Sequence, residues 1–226
     1  MQASLAAALI PASWPSTAPS GAEVCMSDEL DLAGPHVAFG RDEEVFGEGE
    51  KADNVYKVVR GVVRAFRILA DGRRQICEFY LPGDCFGLEA GLFYRNSAEA
   101  LTDTQLVVVR RSALTGTAAE KPDLARRLWR LAVRDLQRSQ DHVLMLGRRS
   151  AAERVASFLM DLARRMTAGA VLELPMSRLD IADFLGLTIE TVSRTFTQFQ
   201  ESGLIEVSAC RSIRLCDRGA LEGLCE

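Results

Sequence analysis

The sequence is poor in the residues that most chemistries need. Its 226 residues contain only two histidines, His36 and His142, and its lysines are confined to Lys51, Lys57 and Lys121. The six cysteines, Cys25, Cys77, Cys85, Cys210, Cys216 and Cys225, are spread so that no two form a C-x-x-C pair. Neither a disulfide framework nor a cysteine metal cluster is expected, and a reducing cytoplasm is the expected setting. No metal-ligand cluster, nucleophile–base pair or Walker-type glycine loop is visible, which argues against an enzyme. A run of about 18 apolar residues, the minimum for a membrane span, is also missing. The apolar stretch Leu5–Ile10 is short, and the first basic residue is Arg41, so no signal peptide is expected.

What is present is an ordinary globular composition, 48% hydrophobic and 26% charged, in a chain long enough for one large or two small cores. The formal net charge of −4 argues against a histone-like, non-specific nucleic-acid binder. It leaves room for a specific one with a local basic surface. Because most cations are arginines, bidentate contact with phosphate or guanine is available, although a GC-rich genome gives the same bias.

The pattern along the chain indicates an α+β protein. Residues 1–35, with Pro11, Pro15, Pro19 and Pro35 among Ala and Ser, read as a flexible tail, and translation could start at Met1 or Met26. Residues 36–115 read as strands. Val62, Arg64, Phe66 and Ile68 alternate with Val63, Ala65, Arg67 and Leu69, and Asp71-Gly72 signals a hairpin before Arg73–Tyr80. Short strands with tight turns predict a β-roll or small barrel. Residues 116–149 include a long amphipathic helix from about Lys121, with Leu124, Leu128, Leu131, Val143 and Met145 or Leu146 at helical spacing. Such a helix either packs on its own roll or pairs with its twin. The dimer is favoured, because one short roll cannot cover so long a helix.

Residues 150–226 carry the informative motif. Ser177 and Asp180 form a capping-box start, and the helix after them is expected to bury Leu179, Ile181, Ala182 and Leu185. Gly186 allows the left-handed stop, and Thr188 caps a second helix whose Ile189, Val192, Phe196 and Phe199 form a face to be buried. The opposite face presents Glu190, Ser193 and Arg194, with Thr197 and Gln198. In a helix-turn-helix, the N-terminal end of the second helix meets base edges in the major groove. There an arginine can donate twice to guanine, and a glutamate can accept from cytosine. The competing reading is a solvent-facing Glu190–Arg194 pair worth a few tenths of a kcal/mol. A hairpin, Leu204–Val207 with Ser212–Leu215, looks like a wing, with Cys210 and Arg211 at its tip; Arg211 is a candidate phosphate contact.

These features together resemble the CRP/FNR superfamily of transcription regulators over residues 40–220. The run Glu190–Arg194 looks like the recognition signature of the FNR branch, and Asp180–Phe196 is most similar to the FixK-like group. The resemblance implies a cyclic-nucleotide-binding-like β-roll, a long dimerisation helix and a C-terminal winged helix-turn-helix. It also implies a homodimer on double-stranded DNA with TTGA-type palindromes, RNA polymerase as partner, and control of low-oxygen or nitrogen-fixation genes.

Departures from the family pattern bear on the input signal. The iron–sulfur branch needs an N-terminal cysteine cluster, and only Cys25 lies in that region. Cyclic-nucleotide sensors hold the ligand's phosphate with an arginine directly before a serine. Here Glu89 and Ser97 survive, but Asn96 stands where the arginine would, and Arg95 is one position away. A buried phosphate without its cation is costly, so a degenerate effector pocket filled by side chains is expected. A cyclic-nucleotide- or haem-responsive member is the alternative. The FixK-like resemblance implies no cofactor, with Cys210 as a possible redox thiol, because oxidation to a charged acid would oppose DNA phosphate.

Overall fold

The computed structural model describes residues 32–166, 171–209 and 211–225. Cys25, Met26 and nearly all of the expected N-terminal tail lie outside those residues, as does Cys210.

The strand-rich part comprises β1 (His36–Phe39), β2 (Glu44–Phe46), β3 (Asn54–Arg60), β4 (Val63–Ile68), β5 (Arg74–Tyr80), β6 (Cys85–Phe86), β7 (Ser97–Ala100) and β8 (Thr104–Arg110). These make two four-stranded sheets, ordered β1-β8-β3-β6 and β2-β7-β4-β5, with antiparallel pairing throughout. Between them sits an aromatic core in which Phe46 stacks on Tyr94 at 3.7 Å and Tyr56 on Phe86 at 5.1 Å. Asp71-Gly72 does close the β4–β5 hairpin, but only Gly72 is left-handed (φ 83°). Leu69 donates its N–H to Arg73 O and accepts from Gly72 N–H, so the loop is longer than a two-residue turn.

Simple alternation fails in β4. Val62, Val63, Arg64 and Ala65 are all buried, and the register shifts between Ala65 and Phe66. Both faces of this strand are covered, because the C-terminal part of the chain packs on the outer one.

The short α1 (Arg111–Glu120) follows; it buries only Leu114, so its apolar periodicity is too weak to read. Next comes α2 (Pro122–Arg148), begun by a proline where a missing N–H does no harm. Leu124, Leu128 and Leu131 face the roll beside Val55 and Val107. A different face carries Trp129, Leu136 and Val143, exposed by 71%, 58% and 67%. Packing on its own roll therefore accounts for one face of this helix only.

The helix breaks at Arg149 and Ser150, both extended, and α3 (Ala151–Arg165) starts with a Ser150–Glu153 capping box. Then come β9 (Val171–Glu173), α4 (Arg178–Leu185), α5 (Ile189–Glu201), β10 (Ile205–Ala209), β11 (Ser212–Leu215) and α6 (Arg218–Gly223). The small sheet is ordered β10-β11-β9. Leu159, Ile181, Leu185, Val192, Phe196 and Ile213 form its core, which continues into Val62, Ile76, Phe79 and Leu101 of the roll. Each large side chain buried there contributes about 1.5–3 kcal/mol, so the two halves are held by one shared cluster. Among the described residues no helix is long and apolar enough to cross a membrane.

Gly61 marks a close backbone approach in the roll. Its φ is 87°, and a Cβ there would lie 2.4 Å from Thr104 Oγ1 and 2.6 Å from Asp103 O. Gly61→Ala is therefore expected to lower the unfolding free energy by about 2–4 kcal/mol. Urea denaturation checks this; an unchanged midpoint would contradict the close approach.

Candidate nucleic-acid interface

The turn between α4 and α5 is built as its residues require. Gly186 sits at φ 62°, ψ 40°, and Leu187 N–H donates back to Ala182 O at 3.0 Å. The Thr188 hydroxyl accepts from Thr191 N–H at 3.2 Å and caps α5. Val192, Thr195, Phe196 and Phe199 form the buried face of α5. Ile189, expected in that face, is exposed instead, because the first turn lies beyond the core. Thr195 takes its place, satisfying its hydroxyl on Thr191 O at 2.9 Å.

The outer face of α5 presents Glu190, Ser193, Arg194, Thr197 and Gln198, all exposed. Among the described residues Arg194 makes no hydrogen bond or salt bridge, so the i,i+4 pair is not closed. The Glu190 carboxyl is held below its usual range by its own backbone N–H, the Thr188 hydroxyl and the charge of Arg194. The strip thus offers an acceptor held locally at the helix N-terminus and, in Arg194, a donor set without a hydrogen-bond or salt-bridge partner among the described residues.

Arg211 is placed differently from expectation. It is half-buried, its Nη1 donates to Pro175 O at 3.4 Å, and its carbonyl accepts from Leu174 N–H. Pairing of β11 with β9 draws this end of the hairpin inward. Its guanidinium therefore lies near Ser177 and Arg178, at the start of α4, instead of projecting from a wing tip.

The least expected feature is how α4 is held. Asp180 is only 3% exposed, and Leu179, expected to be buried, faces solvent. The cap explains the exchange. Asp180 Oδ2 accepts from Ser177 N–H (2.9 Å) and Oγ–H (2.7 Å), which turns Asp180 inward and Leu179 out. Asp180 Oδ1 accepts from Arg64 Nη1 of β4 (3.0 Å) and Arg74 Nη2 of β5 (2.7 Å). Arg74 Nε also donates to Asp183 Oδ2 at 2.8 Å, and Arg64 Nη2 to Glu99 Oε1 at 2.6 Å. Burial alone would raise the Asp180 carboxyl, but Ser177 and then the two arginines hold it below the usual range. At the other end of α4, orphan carbonyls are taken by distant side chains. Gln75 donates to Asp183 O (2.7 Å), His142 Nε2 to Phe184 O (2.9 Å) and Arg154 Nη1 to Leu185 O (2.9 Å). One signal for this was in the sequence: Arg64 interrupts the apolar run Val62–Phe66.

The expected effector pocket is open, not filled. A cavity of about 410 Å³ in the roll is lined by Phe46, Tyr80, Phe86, Glu89, Asn96 and Asp135, among others. Ser97 is turned away, its hydroxyl accepting from Glu48 N–H at 2.9 Å. The Asn96 amide oxygen faces the Cys77 thiol at 3.7 Å, and the Glu89 carboxylate accepts from Arg95 N–H. The cavity is also lined by Arg95, next to Asn96, and by Arg67, which is paired with Glu48; neither occupies the position directly before Ser97. As for haem, His142 is committed to Phe184, and His36 is exposed on β1. Among the described residues no group of three or more His, Cys, Asp or Glu could hold a metal ion.

Comparison with known proteins agrees with this architecture. The pattern of a Crp-like helix-turn-helix domain matches residues 153–224, and that of a cyclic nucleotide-binding domain matches residues 36–121. The chain is 54% identical over 196 residues to the nitrogen fixation regulation protein FixK of Azorhizobium caulinodans, covering 84% of this chain and 79% of that protein. It is 41% identical over 209 residues to FixK of Rhizobium meliloti, covering 92% and 96%. The structure of FixK2 from Bradyrhizobium japonicum superposes with a TM-score of 0.83 at 46% identity, over 85% of this chain and 98% of that one.

Asp135 in the cavity wall supplies a pH test. Burial pushes its carboxyl up to about 6 despite the pull of Arg138, with Glu78 and Asp84 adding to the rise and Arg134 opposing it. A carboxyl raised in the folded state destabilises the fold as pH climbs from its unfolded value near ~3.9 through that range. Asp135→Asn should therefore raise the melting temperature at pH 7.5 and give no gain below about pH 4. Thermal unfolding at both pH values decides it; an equal gain at each would contradict the burial effect.

Proposed function

We infer the function from one premise: the chain belongs to the CRP/FNR family of transcription regulators, in its FixK-type branch, and is a regulator, not an enzyme. As a homodimer it binds palindromic double-stranded DNA with TTGA-type half-sites, and it activates nitrogen-fixation or low-oxygen genes through RNA polymerase in the cytoplasm. The roll over residues 36–115 is the scaffold, the helical segment 116–149 joins the subunits, and residues 150–226 read DNA. Its activity is set by its amount, without a cofactor; Asn96 in place of an arginine directly before Ser97 supports this reading.

One observation carries this reading: Glu190, Ser193 and Arg194 stand exposed on α5 while the helix behind them is capped and buried. Arg194 is assigned to a guanine edge, Glu190 to a cytosine amine, and Ser193 to a base or phosphate. Thr188, at the helix start, and Arg211, beside the start of α4, are assigned to backbone phosphates. The dimer is supported by Trp129, Leu136 and Val143, exposed apolar residues that recur every seven positions along α2. That spacing is the seam of a coiled coil.

Arg194→Ala should lose about 1–3 kcal/mol on a TTGA-type palindrome and relax the preference at the contacted guanine. Titration against matched and scrambled duplexes measures it, and an unchanged ratio between them would remove the assignment. Leu136→Asp should leave a folded monomer at micromolar concentration in sedimentation equilibrium, with palindrome binding weakened by at least about tenfold. A stable dimer of that variant would place the interface elsewhere.

A further inference from the structure

We propose that Arg64 and Arg74 are positioning residues for DNA recognition: by clamping α4 to the roll they set the spacing between half-sites that the dimer accepts. The inference rests on the dimeric DNA-binding reading, and it adds specificity determinants that never touch DNA.

Three kinds of attachment lead from the dimer helix to the recognition helix: a covalent one, one through the roll, and direct hydrogen bonds from His142 of α2 to Phe184 O and from Arg154 of α3 to Leu146 O and Leu185 O. The first is covalent. α2 ends at Arg148 and α3 begins at Ala151, so Arg149 and Ser150 alone, both extended, join the two helices. A break of that kind transmits position but leaves rotation to be set by other contacts. The second route runs through the roll. α2 is fixed to it by Leu124, Leu128 and Leu131 and by Arg138, whose guanidinium lies 3.4 Å from Asp84. The roll then holds α4 through Arg64 and Arg74 on Asp180, and through Arg74 on Asp183. From α4 to α5 the Gly186 turn is short and hydrogen-bonded, and the apolar faces of the two helices share one core, so α5 follows α4. Attachments on either side of a hinge turn it into a fixed joint.

The chemistry of the clamp suits this role. Arginine offers a planar fork, and Arg74 uses it on two carboxylates one helical turn apart, Asp180 and Asp183. A rotation of α4 would break both contacts together. Adjacent half-site spacings differ by about 3.4 Å and about 35° per base pair. A joint rigid on that scale selects one spacing, and a loosened one accepts several.

The test uses the full-length chain and duplexes that share one half-site sequence while the spacer varies by one and two base pairs either way. Wild type is expected to prefer one spacing by about tenfold. Arg74→Ala and Asp183→Asn should each compress that preference to about two- to threefold while keeping the base preference within a half-site. Arg74→Lys, which retains charge but not the fork, should fall between. A merely structural loss would weaken all spacings in proportion and leave their ratio unchanged. Wild-type spacing ratios in both Arg74→Ala and Asp183→Asn overturn the clamp, whatever their absolute affinities. A wild-type chain with no preference for any half-site overturns the regulator reading, and the clamp with it; that outcome is visible before any variant is compared.

Discussion

Asp180 is a charged residue placed where the two halves of the chain meet, and the arrangement of those halves depends on how it is satisfied. One oxygen completes the N-terminal cap of α4, and the other receives two arginines from adjacent strands of the roll. Such a buried pair contributes little net stability, because desolvation offsets much of the attraction. Its effect lies in what it forbids. Any packing that separates the carboxylate from Arg64 and Arg74 strands a buried charge, which costs about 3–5 kcal/mol. The shared apolar cluster pulls the halves together without much regard for angle, and the ionic contacts choose among the angles that the cluster would allow.

The same division of labour recurs a few residues away. Arg165 of α3 is nearly buried between Glu78 at 3.1 Å and Asp84 at 2.7 Å, and it also donates to Phe79 O at 2.5 Å. Arg138 of α2 approaches the same Asp84. Around them Phe79, Phe158 and Phe184 pack edge-on or tilted, with centroids 5.3–6.2 Å apart. Arg154 closes the third side. It donates to Leu146 O and Arg149 O at the end of α2 and to Leu185 O at the end of α4. Carbonyls that lack partners at helix ends are used here as attachment points between elements. Arginine in place of lysine suits each of these positions, because a fork can serve two acceptors at once.

Local chemistry was legible in the sequence, and long-range pairing was not. The Ser177–Asp180 cap, the left-handed Gly186, the Thr188 cap and the strands around Val55, Val63 and Val107 follow from signals within a few residues. Leu179 and Ile189 were misplaced because helical periodicity assumes that apolar residues always win the inward positions; at Asp180 a cap and two cations won instead. The partners of Asp180 lie more than a hundred positions away, and no spacing rule connects them. α1 buries a single leucine, too faint for a periodic signal. Arg211 was read at the tip of a projecting hairpin, whereas the pairing of β11 with β9 draws it in.

The two faces of α2 show how these pieces combine into a device. One face is committed to the roll through leucines, and the other keeps an apolar stripe at heptad spacing. In the proposed dimer, a helix used on both sides ties the position of the partner to the position of its own roll. The roll in turn holds α4, and α4 carries α5. These attachments are packed and paired contacts, and between α2, α3 and the end of α4 they surround a cavity of about 390 Å³ lined by Arg138, His142, Phe158, Arg165 and Phe184, among others. A second cavity, beside Asp135, lies between the aromatic core of the roll and α2.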